Sequence, residues 1–159
     1  MKNAPRDVAW YISGFVDGEG SFNISFRKKV DYKIRWQPVL SFNVSQWDKT
    51  LLELMKHYFG CGIIKQRRDG LYSYDVTNPQ VLEHIIVPFF QKYTFFSSSK
   101  RKNFELFRLA VKLMYEKRHL TEIGLKELIE LRERINEGKG RKRKYTKDTI
   151  LLGSPETIR

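Results

Sequence analysis

Two segments near the start of the chain alternate strictly between polar and apolar residues. In residues 21–27 the odd-numbered positions are polar and the even-numbered positions are Phe22, Ile24 and Phe26. Residues 37–45 repeat the same parity, with Val39 as the one apolar exception on the polar side. A period of two is typical of strands that pack one face on a core and leave the other face open. The sequence therefore predicts two half-buried strands with a polar face.

The segments around these strands predict helices and a second pair of strands. Residues 8–16 are apolar on most of a helical surface, so this helix is expected to be buried on more than one side. Asp69-Gly70 predicts a hairpin turn. Helices are predicted over residues 47–59, 79–93 with a break or kink at Pro88, about 103–117 and from about 121 onward. This order predicts an α+β fold with an antiparallel sheet.

Composition narrows the class of ligand. The chain has 159 residues, with 30 Lys and Arg against 18 Asp and Glu, a net charge of +12. Such an excess favours a polyanionic partner, with nucleic acid first. Cys61 is the single cysteine, which excludes a disulfide framework and a multi-cysteine zinc site. No apolar run approaches the ~20 residues of a membrane helix, so no membrane partner is expected. No small-molecule cofactor is expected either.

A basic run divides the chain into two expected parts. Residues 139–147 are rich in Lys, Arg and Gly, and such runs are usually solvated and flexible. We expect a folded domain over residues 1–137 and a basic C-terminal extension over 138–159. Lys142 is a candidate contact to a nucleic-acid backbone. A nuclear localisation signal and a non-specific arm are the alternatives.

The segment 11–22, YISGFVDGEGSF, resembles the signature motif of the LAGLIDADG homing endonucleases. The resemblance covers roughly residues 7–115 and implies an αββαββα core whose antiparallel sheet binds DNA, with further C-terminal helices and the basic tail. The domain 1–137 would then be a LAGLIDADG endonuclease domain. The chain contains one copy of the motif, which implies a homodimer. The motif helices would pack closely, with Ser13, Gly14 and Asp17 in the dimer interface.

Glu19, at the end of the motif, is the candidate metal ligand. One carboxylate per chain makes a poor hydrolytic site, but two brought together by symmetry can hold divalent cations between two phosphates. Hard oxygen ligands suit Mg²⁺, and Gly18 would add a backbone carbonyl. An acid at a helix C-terminus opposes the helix dipole, so stability does not explain Glu19. The alternative is an acid that caps the helix or pairs with an arginine.

Two further catalytic residues follow from the resemblance. A polar residue at the end of the second strand, here Gln46, is expected to orient water near the metal. A basic residue before the long helix is expected to stabilise phosphate charge. Lys100, Arg101 and Lys102 are available, and Lys100 is the preferred residue. The alternative for Gln46 is an ordinary exposed polar residue at a strand end, and the alternative for Lys100 is a basic helix start that only contacts the DNA backbone.

The polar strand face is the predicted DNA-binding surface. A two-stranded ribbon fits the major groove, where Arg recognises guanine and Asn or Gln recognise adenine. The predicted contacts are Ser21, Asn23, Ser25, Arg27, Lys29, Gln37, Ser41, Asn43, Ser45, Lys65, Arg67, Ser73 and Asp75. The alternative is a sheet face that is merely solvated.

The resemblance implies an intron-encoded, site-specific endonuclease. It would cut both strands of a long pseudo-palindromic DNA site by Mg²⁺-dependent phosphodiester hydrolysis and leave short 3′ overhangs. The alternative is a non-cleaving protein of the same fold, an RNA maturase or a transcriptional regulator. The expected location is intracellular, in a chloroplast, a mitochondrion or a prokaryotic cytoplasm.

Overall fold

The computed structural model describes residues 4–31, 35–138 and 142–152. Its first half contains helix α1 (Arg6–Glu19), strands β1 (Gly20–Lys28) and β2 (Trp36–Gln46), helix α2 (Thr50–Phe59), and strands β3 (Ile63–Gln66) and β4 (Tyr72–Val76). Its second half contains α3 (Pro79–Val81), a π-helical turn (Leu82–Ile86), α4 (Val87–Lys92), α5 (Ser98–Tyr115), a 3₁₀ turn (Arg118–Leu120), α6 (Glu122–Arg134) and α7 (Lys147–Leu152). The predicted α+β class is confirmed. Among the described residues no helix is long and apolar enough to cross a membrane.

The four strands form one antiparallel sheet in the order β1-β2-β4-β3. In β1 and β2 every even-numbered residue from Gly20 to Phe26 and from Trp36 to Val44 is buried, as the alternation predicts. Gly20 pairs with Val44, so β2 runs two residues past the start of β1. Gln46 therefore lies at the end of the sheet where α1 passes into β1.

An aromatic cluster joins the buried sheet face to the helices. The Phe22 ring lies 5.4 Å from Phe42 across the sheet and 5.1 Å from Phe107 on α5, measured between centroids. Phe90 and Phe95 pack against the same ring. Aromatic rings bury large apolar areas, so this cluster fixes α5 against β1.

Helix α1 is buried on one side only. Ala9, Ile12 and Val16 are fully buried, whereas Tyr11 is 60% exposed and Gly14 is exposed. The expectation of burial on more than one side is not met among the described residues, because no other described segment covers the outer side. That side remains available to a partner.

Two turns adopt the conformations that their glycine and proline residues favour. Gly70 adopts a φ of +89° in the β3–β4 turn, the left-handed region that Asp-Gly signals predict. The kink expected at Pro88 is a π-helical turn, which ends at Ile86 and lets the helix continue through Pro88. Both features match the sequence pattern.

The described part of the basic C-terminal segment is packed, not a solvated arm. The Arg143 guanidinium donates to the backbone carbonyls of Arg132 and Ile135 at the end of α6. Tyr145 packs edge-on against Trp36 at 4.7 Å, and Ile150 is fully buried. Residues 142–152 therefore belong to the same folded unit as the preceding domain, because Arg143 satisfies helix-terminal carbonyls and the apolar side chains extend the core. Residues 139–141 and 153–159 lie outside the described residues.

Candidate active site

Glu19 stands exposed where α1 passes directly into β1. The Gly20 N–H donates to the carbonyl of Val16, and a Cβ on Gly20 would clash with Val16, so only glycine fits this junction. Gly18 lies in the last helical turn, where backbone carbonyls lack partners within the helix. A carboxylate and a backbone carbonyl are thus presented together at one helix end.

Asp17 ties the end of α1 to the start of α5. Its carboxylate accepts hydrogen bonds from the backbone N–H groups of Phe96 and Ser97, both at 2.9 Å, and from the Ser97 hydroxyl. Ser97 is the N-cap of α5. Burial alone would raise the pKa of Asp17, but the hydrogen bonds from Ser97 and Phe96 outweigh it and hold this pKa below its ordinary value. Asp17 is therefore ionised and holds two helix ends together.

Replacing Asp17 with alanine is expected to lower the free energy of unfolding by about 1–3 kcal/mol, because three hydrogen bonds to a charged group are lost. Denaturant unfolding measures this change. Asp17→Asn is the matched variant, since it keeps one acceptor oxygen and should cost less. A lowered folded-state pKa gives stability that is present above the unfolded-state pKa and is lost as the pH falls through the folded value. Wild type and Asp17→Asn should therefore converge in acid, and equal stability at neutral pH would contradict this role.

Lys100 lies beside the motif carboxylates. Its ammonium donates to the backbone carbonyl of Gly20, and the side chain is half-buried. Burial lowers the pKa of Lys100, while the charges of Asp17 and Glu19 act in the opposite direction. Lys102 instead pairs with Glu137 at 2.7 Å, and Arg101 is exposed.

The position of Lys100 within its helix differs from the expectation. Residues 100–102 lie in the first turns of α5, because Ser97 caps that helix, and not in a loop before it. The placement supports Lys100 over its two neighbours as the basic residue of the site. Its catalytic role stays a prediction.

Gln46 ends β2 and lines an open groove between α1 and α2. The groove has a volume of about 680 Å³ and is also lined by Tyr11, Phe15, Leu51, Leu54 and His57. Because β2 extends past the Gly20–Val44 pair, Gln46 lies at the same end of the sheet as Glu19, which directly precedes Gly20. Its water-orienting role remains a prediction.

Two of the three residues predicted for the dimer interface face inward. Ser13 is buried, and its hydroxyl donates to the carbonyl of Tyr93 at 2.8 Å. Asp17 is held by the start of α5. The outer side of α1 instead presents Tyr11, Gly14, Phe15 and Gly18, whose spacing of three and four residues places them on one helical face.

The outer side of α1 leaves room for another helix to approach closely. A Cβ added to Gly14 or Gly18 would meet no described atom within 4 Å. We call the surface formed by Tyr11, Gly14, Phe15 and Gly18 the glycine face. Phe96, which is 97% exposed in the loop held by Asp17, is a further unpartnered apolar side chain that the sequence did not single out.

The predicted DNA-binding residues lie mainly on the open sheet face. Ser21, Asn23, Ser25, Arg27, Gln37, Ser41, Asn43 and Ser45 occupy the side opposite the core, in register between β1 and β2. Lys29 and Arg67 are exposed just beyond their strands, and Lys142 is exposed in the C-terminal segment. Ser73 is only 3% exposed, because Asn43 and Asp75 cover it, so it is not available for direct contact.

The site offers part of a metal coordination shell. Glu19 and the Gly18 carbonyl are hard oxygen donors, which fit Mg²⁺ or another divalent cation. No group of three or more His, Cys, Asp or Glu that could hold a metal occurs in the part of the chain that the structure describes. These two donors alone leave the coordination shell of a divalent cation incomplete.

The chain belongs to the LAGLIDADG endonuclease family, whose model matches residues 12–111. It is 34% identical over 89% of its length to the probable intron-encoded endonuclease 2 of Neurospora crassa. It resembles I-SmaMI bound to cleaved DNA, with a TM-score of 0.80, 34% identity and 94% of this chain covered. A second I-SmaMI structure, bound to uncleaved DNA with calcium ions, gives 0.77 and 32% identity over 92% of this chain and 56% of that one.

The relatives differ in length. The chain spans 32% of the Neurospora protein and 48% of the I-SmaMI chain bound to cleaved DNA. It covers 88% of the homing endonuclease I-TnaI, with 82% of this chain aligned, 29% identity and a TM-score of 0.76. One family thus includes chains of about this size and chains about twice as long or longer.

Proposed function

We propose that this protein is a site-specific homing endonuclease that cuts both strands of a long pseudo-palindromic DNA site by metal-dependent phosphodiester hydrolysis. One observation carries the proposal: the exposed Glu19 and the half-buried Lys100 lie together where the glycine face meets the polar sheet. This arrangement places a carboxylate and an ammonium group beside a surface suited to DNA.

The second half of the site comes from a second copy of the chain. One Glu19 supplies too few ligands, whereas two related by a two-fold axis supply two carboxylates for two scissile phosphates. The glycine face gives the close helix contact that this symmetry requires. I-TnaI supports a single-copy arrangement through its similar length, although I-SmaMI and the Neurospora relative are longer than this chain.

Each residue of the site has a distinct task in hydrolysis. Glu19 and the Gly18 carbonyl would hold Mg²⁺, which would supply a bound water of lowered pKa and stabilise the charge on the leaving oxygen. Gln46 orients the attacking water. Lys100 stabilises the negative charge that develops on the phosphate. Water attacks phosphorus and loses a proton to solvent, the bond from phosphorus to the 3′ oxygen breaks, and that oxygen takes up a proton from solvent. Short 3′ overhangs with 3′ hydroxyl groups remain, and the other products carry 5′ phosphates.

The biological role proposed is intron mobility. The name of the Neurospora relative describes it as intron-encoded. A two-fold enzyme needs a partly palindromic site, and a long site gives enough specificity for one insertion position in a genome. An organellar location, in a chloroplast or a mitochondrion, is part of the same proposal.

A cleavage selection tests the proposed function. Purified protein, Mg²⁺ and a library of long, partly palindromic duplexes are incubated, and the cut ends are sequenced. Enrichment of one long site with short 3′ overhangs, lost in EDTA, is the expected result. Specific binding without cleavage would contradict the endonuclease and leave a DNA-binding regulator. Absence of both would contradict any function on DNA.

A further inference from the structure

The open sheet face contains an acid, Asp75, at the centre of a surface expected to meet polyanionic DNA. Its side chain is 14% exposed. Asn43 donates to one carboxylate oxygen at 2.5 Å, and the Ser73 hydroxyl donates to the other at 2.9 Å. The Lys65 ammonium lies 3.0 Å from that second oxygen. Asp75 is therefore the hub of a network and not an isolated charge.

Asn43, Ser73 and Asp75 use their polar groups on one another. Asn43 uses its amide donors on Ser73, at 2.8 Å, and on Asp75, so it cannot at the same time offer them to adenine. Ser73 is buried. Burial alone would raise the pKa of Asp75, but hydrogen bonds from Asn43, Lys65 and Ser73 outweigh it and hold this pKa below its ordinary value. Asp75 therefore stays anionic, and its negative charge can hold the Lys65 ammonium.

Lys65 is the member of the network that faces outward. Its side chain is 59% exposed. An ammonium has three N–H donors, and the contact with Asp75 occupies one of them. A fixed ammonium costs less side-chain entropy on binding than a free lysine does. Guanine presents two adjacent acceptors, O6 and N7, in the major groove, whereas adenine presents a donor beside N7. A pinned ammonium therefore favours guanine.

We infer that Lys65 is a guanine-specificity residue and that Asp75, held by Asn43 and Ser73, is the positioning residue that aims it. This inference rests on the DNA recognition proposed above. It also changes the role of Asn43, which supports the network and does not itself contact adenine.

Strand register gives the place of this contact along the DNA. Lys65 pairs with Ser73, and Ser73 pairs with Ser45, which is one residue past the Gly20–Val44 pair at the start of β1. Arg27 and Gln37 pair at the far end of the sheet, about 27 Å away at roughly 3.4 Å per residue. We therefore expect the guanine preference nearer the cut bonds than the base pairs faced by Arg27 and Gln37.

Binding selections test the inference directly. The full chain is incubated in EDTA with duplexes randomised across the half-site, and the base preference at every position is measured. Lys65→Gln is expected to lower the guanine preference at one inner position by about 5- to 150-fold, the range for a good bidentate contact, and to leave other positions unchanged. Lys65→Arg should retain the preference. Asp75→Asn should lower the preference at that same position by a smaller factor.

A control variant separates base recognition from the general effect of losing a surface cation. Lys126→Gln removes an ion pair of similar exposure on α6, 2.6 Å from Glu122, and should change no base preference. A uniform loss of affinity in Lys65→Gln, or an unchanged guanine preference, would overturn the inference while the proposed function stands. If the wild-type chain selects no sequence at all, the proposed function fails and the inference fails with it.

Discussion

Replacement of Glu19 by glutamine is expected to reduce DNA cleavage by about 10³-fold or more and to leave sequence-specific binding intact. Glutamine keeps the length of the side chain but removes the negative charge that holds a divalent cation. A metal supplies several kcal/mol of transition-state stabilisation, and each 1.36 kcal/mol corresponds to a factor of ten in rate. The side chain is exposed, so the substitution removes no core contact.

Single-turnover cleavage of the selected site, with binding measured in parallel, checks this expectation. Glu116→Gln is the matched control, because Glu116 is an exposed acid at the C-terminal end of helix α5, as Glu19 is at the C-terminal end of α1. It should cut at the wild-type rate. Cleavage by Glu19→Gln at the wild-type rate would exclude Glu19 as the metal ligand and would move the search to another carboxylate.

The sheet could be predicted from the sequence because its signal is local. Alternation of period two sets the buried face of β1 and β2 without reference to any other segment, and Asp69-Gly70 sets the second hairpin. The register then brings residues of distant segments onto one face. The motif placed Glu19 correctly at the end of α1 for the same reason, since a helix that ends in a glycine junction is a local feature.

The inward orientation of Ser13 and Asp17 could not be predicted in this way. Residues 8–16 are apolar on nearly all sides, so helical periodicity does not select a core face. The choice depends on partners about eighty positions away: Tyr93 for Ser13, and Ser97 for Asp17. Only the tertiary structure brings these segments together.

Charge alone does not predict whether the basic C-terminal segment is solvated or packed. A run of cations predicts solvation, yet Arg143 turns its guanidinium to the carbonyls that end α6. Helix C-termini attract cations for the same electrostatic reason that makes acids unfavourable there. Tyr145 within the basic run and Ile150 just after it were the available clues, since both are apolar residues that pack in the structure.

Replacement of Gly14 by leucine is expected to abolish self-association and cleavage without unfolding the chain. A Cβ at this position meets no described atom within 4 Å, and glycine inside a helix costs roughly 0.5–1 kcal/mol relative to alanine. The monomer should therefore be at least as stable as wild type. The dimer should fail, because a leucine side chain prevents close approach of two glycine faces, and the two Glu19 carboxylates are then no longer held together.

Two measurements on Gly14→Leu should change in opposite directions: stability should be kept or increased, and self-association should be lost. Chemical unfolding of Gly14→Leu should show unchanged or increased stability, while sedimentation should show a monomer where wild type is a dimer, and cleavage should fall below detection. Lys126→Leu, which adds the same apolar side chain to an exposed position of α6, should remain a dimer and cut DNA. A Gly14→Leu protein that still dimerises and cuts would show that the glycine face is not the interface. A monomeric wild-type chain that cuts both strands would show that one Glu19 is enough.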